Sequence, residues 1–142
     1  MEEEDVRINR LSGRFPDDVR MFRGRTYRQP VKVELGDISI HRPETVDGVL
    51  CLAVAGEVDI ATSARLDVAI TQSIDAGDLT QVLVDLDQVT FLDSTGIQAL
   101  LDGRNRATER GLSFRVLNPH GVVRRTLAIA GVLRLLTEGS SS

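Results

Sequence analysis

One segment, residues 82–104, changes its hydrophobic period part-way along, and this change constrains the fold more than any other feature. Val82–Leu86 is an apolar run rich in β-branched residues, which is typical of a buried strand. From Ile97 onward apolar residues recur every three or four positions, which predicts a helix. Asp93-Ser94-Thr95-Gly96 stands at the changeover, on a strand-to-helix turn with free backbone N–H groups. Such a corner can cap the helix, hold an anion or carry a phosphate.

The remaining elements alternate along the chain. The pattern predicts an edge strand over 31–40, a central strand Val49–Val54 ending at Gly56, a helix begun by Thr62 or Ser63 and closed by Gly77, a strand Gln81–Leu86, a helix from the Asp93-Ser94 corner to about Arg110, a strand Ser113–Leu117, and a helix Gly121–Ala130 followed by an apolar tail. This order, with room for one further short strand, predicts a small α/β domain. Its central sheet is mixed but mostly parallel, with about four to five strands and helices packed on it.

The composition bounds the class of protein. With 142 residues, 42% hydrophobic and 27% charged, the chain suits one globular domain with a real core. No apolar stretch approaches the roughly 20 residues of a membrane span, and the acidic start lacks the features of a signal peptide. A single cysteine excludes an internal disulfide, and a net charge of −4 gives no footprint for direct nucleic-acid binding. We therefore expect a cytoplasmic location.

The chain divides into three parts. Residues 1–30 carry seven arginines, six acidic residues and no sustained period, which predicts a flexible arm or a segment that orders only on a partner. Residues 31–138 form the predicted domain. The glycine and serines of 139–142 predict a disordered tail.

Several kinds of chemistry have weak support in the sequence. Ser94 lacks the Gly-x-Ser-x-Gly elbow of a hydrolase, and the chain has only two histidines. No phosphate-binding Gly-x-x-x-x-Gly-Lys motif is present. Asp85, Asp87 and Asp93 resemble an acidic cluster for Mg²⁺, but side-chain capping of turns is the stronger explanation and needs no metal. Cys51 is typical of a small buried hydrophobe. We expect no metal and no cofactor.

Three motifs follow one another in a fixed order. They are Gly56-Glu57-Val58-Asp59-Ile60-Ala61-Thr62, then Val89-Thr90-Phe91-Leu92-Asp93-Ser94-Thr95-Gly96, and finally Leu117-Asn118-Pro119 with the segment through Gly131-Val132. Together they resemble the STAS domain of bacterial anti-sigma factor antagonists. The resemblance runs from about Val33 to Leu136, and the arginine-rich leader lies outside it.

The resemblance implies a function. In that family the domain binds an anti-sigma factor, which is a serine kinase, and so releases a sigma factor. The kinase phosphorylates the hydroxyl residue after the motif's aspartate, which ends the interaction, and a phosphatase reverses it. Carried over, Ser94 is the phosphoacceptor, Thr95 the lesser candidate, and the domain itself is not an enzyme. The implied partner-binding residues are Asp59, Ile60, Thr62, Asp93, Ser94, Thr95, Gly96 and Ile97.

Two alternatives stay open on the sequence alone. The helix terminus at Ser94 could serve a STAS domain that binds a nucleotide. The same fold could also be a STAS subunit of another signalling or transport assembly.

Overall fold

The computed structural model describes residues 37–42 and 45–138. The predicted arm at 1–30, the tail at 139–142 and the first part of the predicted edge strand lie outside the described residues. The described elements are β1 (Ile38–His41), β2 (Val49–Val58), α1 (Ser63–Asp75), β3 (Gln81–Leu92), α2 (Ser94–Glu109), β4 (Ser113–Leu117), α3 (Gly121–Ile129) and α4 (Leu133–Thr137).

The four strands form one sheet in the order β1-β2-β3-β4. β1 is an edge strand and pairs antiparallel with β2, whereas β2–β3 and β3–β4 are parallel. The predicted mixed, mostly parallel sheet is therefore confirmed. Because β2 and β3 run side by side in the same direction, the loops that follow them emerge at the same edge.

The core lies between this sheet and the helices. Leu52, Val84 and Leu86 of the central strands are fully buried, as are Leu66 and Leu100 of the first two helices. The apolar spacing of α1 turns Leu66, Ile70 and Ile74 inward, as the period predicts. Cys51 is buried in β2, which agrees with its expected role as a small hydrophobe.

Two strands are longer than predicted. β2 continues to Val58 and β3 to Leu92, beyond the expected ends near Gly56 and at Leu86. Asp87 and Gln88 interrupt the apolar pattern of β3, which is why the sequence favoured an end there. In the structure, register shifts between Ala53 and Ala55 and between Gly56 and Glu57 accommodate extra β3 residues. Val89 and Leu92 then return to the core.

The C-terminal part also differs from expectation in detail. The apolar tail after Gly131 is the short helix α4, which buries Leu136, and no additional strand is present within the described residues. Among the described helices, none combines the length and the apolar character that a membrane crossing requires.

Candidate functional site

The corner between β3 and α2 is built by the side chain of Asp93. Its backbone is extended, and its Oδ1 accepts hydrogen bonds from the backbone N–H of Thr95 at 2.9 Å and of Gly96 at 3.3 Å. Asp93 is thus the N-cap of α2, and its carbonyl accepts from the N–H of Ile97 at 3.0 Å. Asp93 therefore accepts hydrogen bonds from the backbone N–H groups of Thr95, Gly96 and Ile97 in the first turn of α2.

The environment of Asp93 favours its charged form. Partial burial raises the pKa of this carboxyl, but hydrogen bonds from the Thr95 hydroxyl and from the backbone N–H groups of Gly96 and Thr95 lower it by more. The net pKa lies below the ordinary value of 3.8. At neutral pH the corner therefore carries a fixed negative charge directly before Ser94.

The two candidate hydroxyl groups at this corner are in different states. Ser94 is exposed, and its hydroxyl forms no hydrogen bond with any residue of 37–42 or 45–138. Thr95 is half-buried, and its hydroxyl donates to Asp93 Oδ1. Ser94 therefore offers a reachable oxygen, whereas that of Thr95 is already committed to the cap.

Gly96 and Ile97 lie beneath the corner. A Cβ on Gly96 would stand 2.5 Å from Leu92 Cδ1 and 2.7 Å from Val58 Cγ1, so only glycine lets α2 begin this close to the sheet. Ile97 is only 8% exposed and belongs to the core. Both residues set the position of Ser94, and neither presents a side chain at the surface.

The loop after β2 lies against this corner. The N–H of Asp93 donates to the carbonyl of Val58 at 3.1 Å, which joins the two strand ends. In the loop, Asp59 Oδ1 accepts from the N–H of Ala61 at 2.9 Å and of Thr62 at 3.2 Å. The structure therefore brings Asp59 and its neighbours to the same edge as Ser94, as expected for adjacent parallel strands.

Thr62 has a structural role in that loop. It is 3% exposed, its hydroxyl donates to the carbonyl of Glu57 at 2.7 Å, and it accepts from the N–H of Asp59 at 3.0 Å. Thr62 is the N-cap residue of α1, which agrees with the predicted start of the helix, but its side chain forms no capping hydrogen bond. Its hydroxyl is used to close the loop instead.

Two exposed apolar side chains flank the corner. Ile60 is 80% exposed at the tip of the loop, and Phe91, which pairs with Glu57 across the sheet, is 43% exposed. Ile60 was among the predicted site residues, whereas Phe91 was missed. No local sequence pattern predicts this exposure, because a phenylalanine within a strand is more often buried.

The other aspartates expected near this edge do not gather around Ser94. Asp85 is 3% exposed within β3, where its carboxylate accepts from Asn118 Nδ2 and from the N–H of Asp87, both at 3.0 Å. It therefore lies inside a strand and not at a strand end, contrary to expectation. In the part of the chain that the structure describes, no group of His, Cys, Asp and Glu side chains is arranged to hold a metal ion.

The chain is thus an α/β domain with a mixed four-stranded sheet, and the corner after its third strand is capped and carries an exposed hydroxyl. The family model of the STAS domain matches residues 42–141, which is most of the chain. The chain belongs to the STAS domain family.

Its relatives carry a consistent description. The anti-sigma-F factor antagonist RsfB of Mycobacterium tuberculosis is 31% identical over 86 residues, which are 61% of this chain and 69% of that protein. The crystal structure of an anti-sigma factor antagonist from Mycobacterium paratuberculosis is similar at 26% identity with a TM-score of 0.62, covering 70% of this chain and 82% of that one. The anti-sigma factor antagonist SpoIIAA in its unphosphorylated form has the same fold, with 19% identity and a TM-score of 0.59 over 70% of this chain and 85% of that one.

Proposed function

We propose that this protein is an anti-sigma factor antagonist whose binding is switched off by phosphorylation of Ser94. In this proposal it binds an anti-sigma factor serine kinase, the sigma factor is released, and the kinase then transfers phosphate to Ser94. A phosphatase restores the binding form. The names of the relatives support the general role, and SpoIIAA, which shares the fold, has also been solved in a phosphorylated form.

The exposure of the Ser94 hydroxyl is the observation that carries the proposal. A kinase must bring the acceptor oxygen in line with the γ-phosphate, which a buried or hydrogen-bonded hydroxyl resists. Ser94 is exposed and its side chain is unbonded among the described residues, while Thr95 next to it is held by Asp93. The geometry therefore favours Ser94 over Thr95 as acceptor.

The physical effect of the modification follows from its surroundings. Phosphorylation adds about −1.5 to −2 charges at pH 7 and three acceptor oxygens. The Asp93 carboxylate precedes Ser94, and Asp59 stands on the adjoining loop, so the added charge enters a region that is already negative. An interface that closes over this corner would have to desolvate all of these groups together.

The predicted partner-binding residues divide into two groups under this proposal. Asp59, Ile60, Asp93, Ser94 and Thr95 lie at or near the surface, so their side chains can contact a partner. Thr62, Gly96 and Ile97 are buried and support that surface from below. We assign direct contact to the first group, together with Phe91.

Phosphate mapping tests the assignment of the acceptor. The full chain is incubated with candidate anti-sigma factor kinases and ATP, and the modified residue is located by mass spectrometry. We expect phosphate on Ser94 and none on the Ser94→Ala variant. Ser63→Ala is the matched control, because Ser63 begins α1 as Ser94 begins α2, and its phosphate uptake should equal that of the wild type. Phosphate on Thr95, or no modification at either residue, would contradict the proposal.

The nucleotide-binding alternative gains no support from the corner. The N–H groups of Thr95, Gly96 and Ile97 all donate to Asp93, so a nucleotide phosphate would have to displace a charged cap to reach them. Calorimetry of the purified chain with ATP and GTP separates the two functions. Saturable binding in the absence of any kinase would favour the alternative.

A further inference from the structure

Two large apolar side chains at the sheet edge that carries Ser94 are exposed to solvent among the described residues. Ile60 is 80% exposed and Phe91 is 43% exposed. Two acidic residues neighbour them: Glu57 pairs with Phe91 in the register of β2 and β3, and Asp59 directly precedes Ile60. We call the surface made by Glu57, Asp59, Ile60, Phe91 and Ser94 the switch face.

Residues 1–36, which include the arginine-rich leader at 1–30, precede the first described residue, Asp37, and the chain joins the described domain at this face. The carbonyl of Asp37 accepts from the N–H of Glu57 at 3.1 Å, and the Asp37 carboxylate pairs with Arg65 of α1. Because β1 is antiparallel to β2, the N-terminal end of β1 lies beside the C-terminal end of β2. The residues that precede Ile38 therefore begin next to the loop that follows β2. With strands about 4.8 Å apart, Asp37 lies one strand from Glu57 and roughly 10 Å from Phe91.

One part of the leader, which follows the acidic residues 2–5, has a composition that complements the switch face. Residues 6–30 contain seven arginines and only two aspartates. The same segment holds Phe15, Phe22 and Tyr27, which are three of the five aromatic residues in the chain. Arginine pairs with carboxylates and stacks on aromatic rings, and aromatic side chains supply the apolar area that would cover Ile60 and Phe91.

We propose that residues 6–30 fold back onto the switch face of their own chain and compete there with the protein partner. The aromatic side chains cover Ile60 and Phe91, and the arginines lie against Glu57 and Asp59. The tether at Asp37 makes this contact intramolecular, so even a weak interaction is populated at a high effective concentration. Phosphorylation of Ser94, which rests on the function proposed above, adds charge that guanidinium groups bind well and so tightens the contact.

The contact can be tested in the full-length chain with a spin label on Ser12→Cys. Cys51 is fully buried, so the label attaches at position 12. We expect the label to cause loss of the amide NMR signals of Ile60, Phe91 and Thr95, while those of α3 are retained. Raising the salt to about 1 M shortens the Debye length to about 3 Å and should restore the lost signals in part.

A pair of matched variants separates specific docking from the random approach of a tethered chain. Residue 12 is 25 positions from Asp37, and a random coil of that length spans only about 28 Å. Replacing Arg20, Arg23, Arg25 and Arg28 by glutamate keeps the tether and should restore the signals, whereas replacement by lysine should keep most of the loss. Equal loss in both variants, or loss at no particular site, would overturn the proposal.

Two further arms complete the test. Spin-labelled chains at natural nitrogen abundance are mixed with ¹⁵N chains that carry no spin label, so that only contact between molecules can cause signal loss. A loss in this mixture as deep as in chains that carry both labels would overturn the intramolecular contact. Phosphorylated chains should show deeper loss of the Thr95 signal than unmodified chains, and an unchanged or weaker loss would overturn the role of the phosphate.

The measurements on unmodified chains need no kinase, so their failure would leave the proposed phosphorylation of Ser94 standing. Failure of phosphate mapping would likewise leave the fold-back standing.

Discussion

The two loops that leave the parallel edge of the sheet are built alike, yet they present different groups. After β2, Asp59 Oδ1 accepts from the N–H groups two and three residues later, and after β3, Asp93 Oδ1 does the same. The residue directly after each aspartate is exposed: Ile60 in the first corner and Ser94 in the second. The same local turn therefore displays an apolar anchor in one place and a hydroxyl in the other.

The corners differ again three residues after the aspartate. Thr62 fills that position in the first corner with a buried hydroxyl that donates to Glu57, whereas Gly96 occupies it in the second because no Cβ fits. The hydroxyl of Thr62, three residues after Asp59, closes its loop, whereas the hydroxyl of Ser94, directly after Asp93, is exposed to solvent. We infer that position within the turn, and not residue type, decides which hydroxyl is structural and which is available for modification.

The largest expected effect concerns partner binding at the second corner. Ser94→Asp places a second carboxylate beside Asp93, and desolvating like charges at an interface costs several kcal/mol. We expect the affinity for the kinase to fall more than about 100-fold, which corresponds to roughly 3 kcal/mol, measured by calorimetry. Ser63→Asp at the start of α1 is the matched control and should leave the affinity within a few-fold of wild type.

The second effect sharpens the contrast between Thr62 and Gly96. Gly96→Ala drives a methyl group into Leu92 and Val58, and overpacking of this kind lowers the free energy of unfolding by about 1–3 kcal/mol. Denaturant titration measures the change. Asn105→Ala on the exposed side of α2 adds no such clash and should leave stability unchanged or slightly higher. Equal stability of the Gly96→Ala variant would mean that α2 can retreat from the sheet.

The third effect compares the two hydroxyl groups directly. Thr62→Val keeps the shape of the side chain but leaves the carbonyl of Glu57 without its donor in a partly buried loop, at a cost of about 1–2 kcal/mol of folding stability. Ser94→Ala removes an exposed, unbonded hydroxyl and should change stability by less than about 0.5 kcal/mol. If thermal or denaturant unfolding gave the two variants the same loss, the distinction between a structural and a free hydroxyl would be wrong.

The smallest effect is the contribution of Asp93 to the cap of α2. Asp93→Ala should lower stability by about 1 kcal/mol. Because folding lowers the pKa of Asp93 below 3.8, its charge stabilises the fold at neutral pH, and this contribution is lost as the pH falls from about 3.8 through the lowered folded value. Asp93→Asn keeps an acceptor but cannot titrate. Unfolding curves collected between neutral and acidic pH should therefore show a shallower pH dependence for Asp93→Asn than for wild type.

Much of the fold could be predicted because its periodicities are strong. The buried run Val82–Leu86 and the inward stripe of α1 read directly as strand and helix, and their alternation leads to a parallel sheet. The ends of β2 and β3 were not predictable in the same way. Asp87 and Gln88 look like a turn in the sequence, and only the pairing with β2 reveals that bulges absorb them.

The site could be predicted as a motif but not as a geometry. The sequence places Asp93, Ser94 and Thr95 together, yet either of the first two could have capped α2. The choice of Asp93 depends on its extended backbone and on the close approach allowed by Gly96. The burial of Thr62 and the exposure of Phe91 likewise depend on neighbouring strands and loops, which no local pattern encodes.

The central claim is that one exposed hydroxyl at the β3–α2 corner controls access of a macromolecular partner. The most direct measurement compares the affinity of the same kinase for the unmodified chain and for chain carrying phosphate on Ser94 alone, with a non-hydrolysable ATP analogue present to prevent turnover. We expect tight binding of the unmodified chain and no detectable binding of the phosphorylated chain. Equal affinity of the two forms would contradict it.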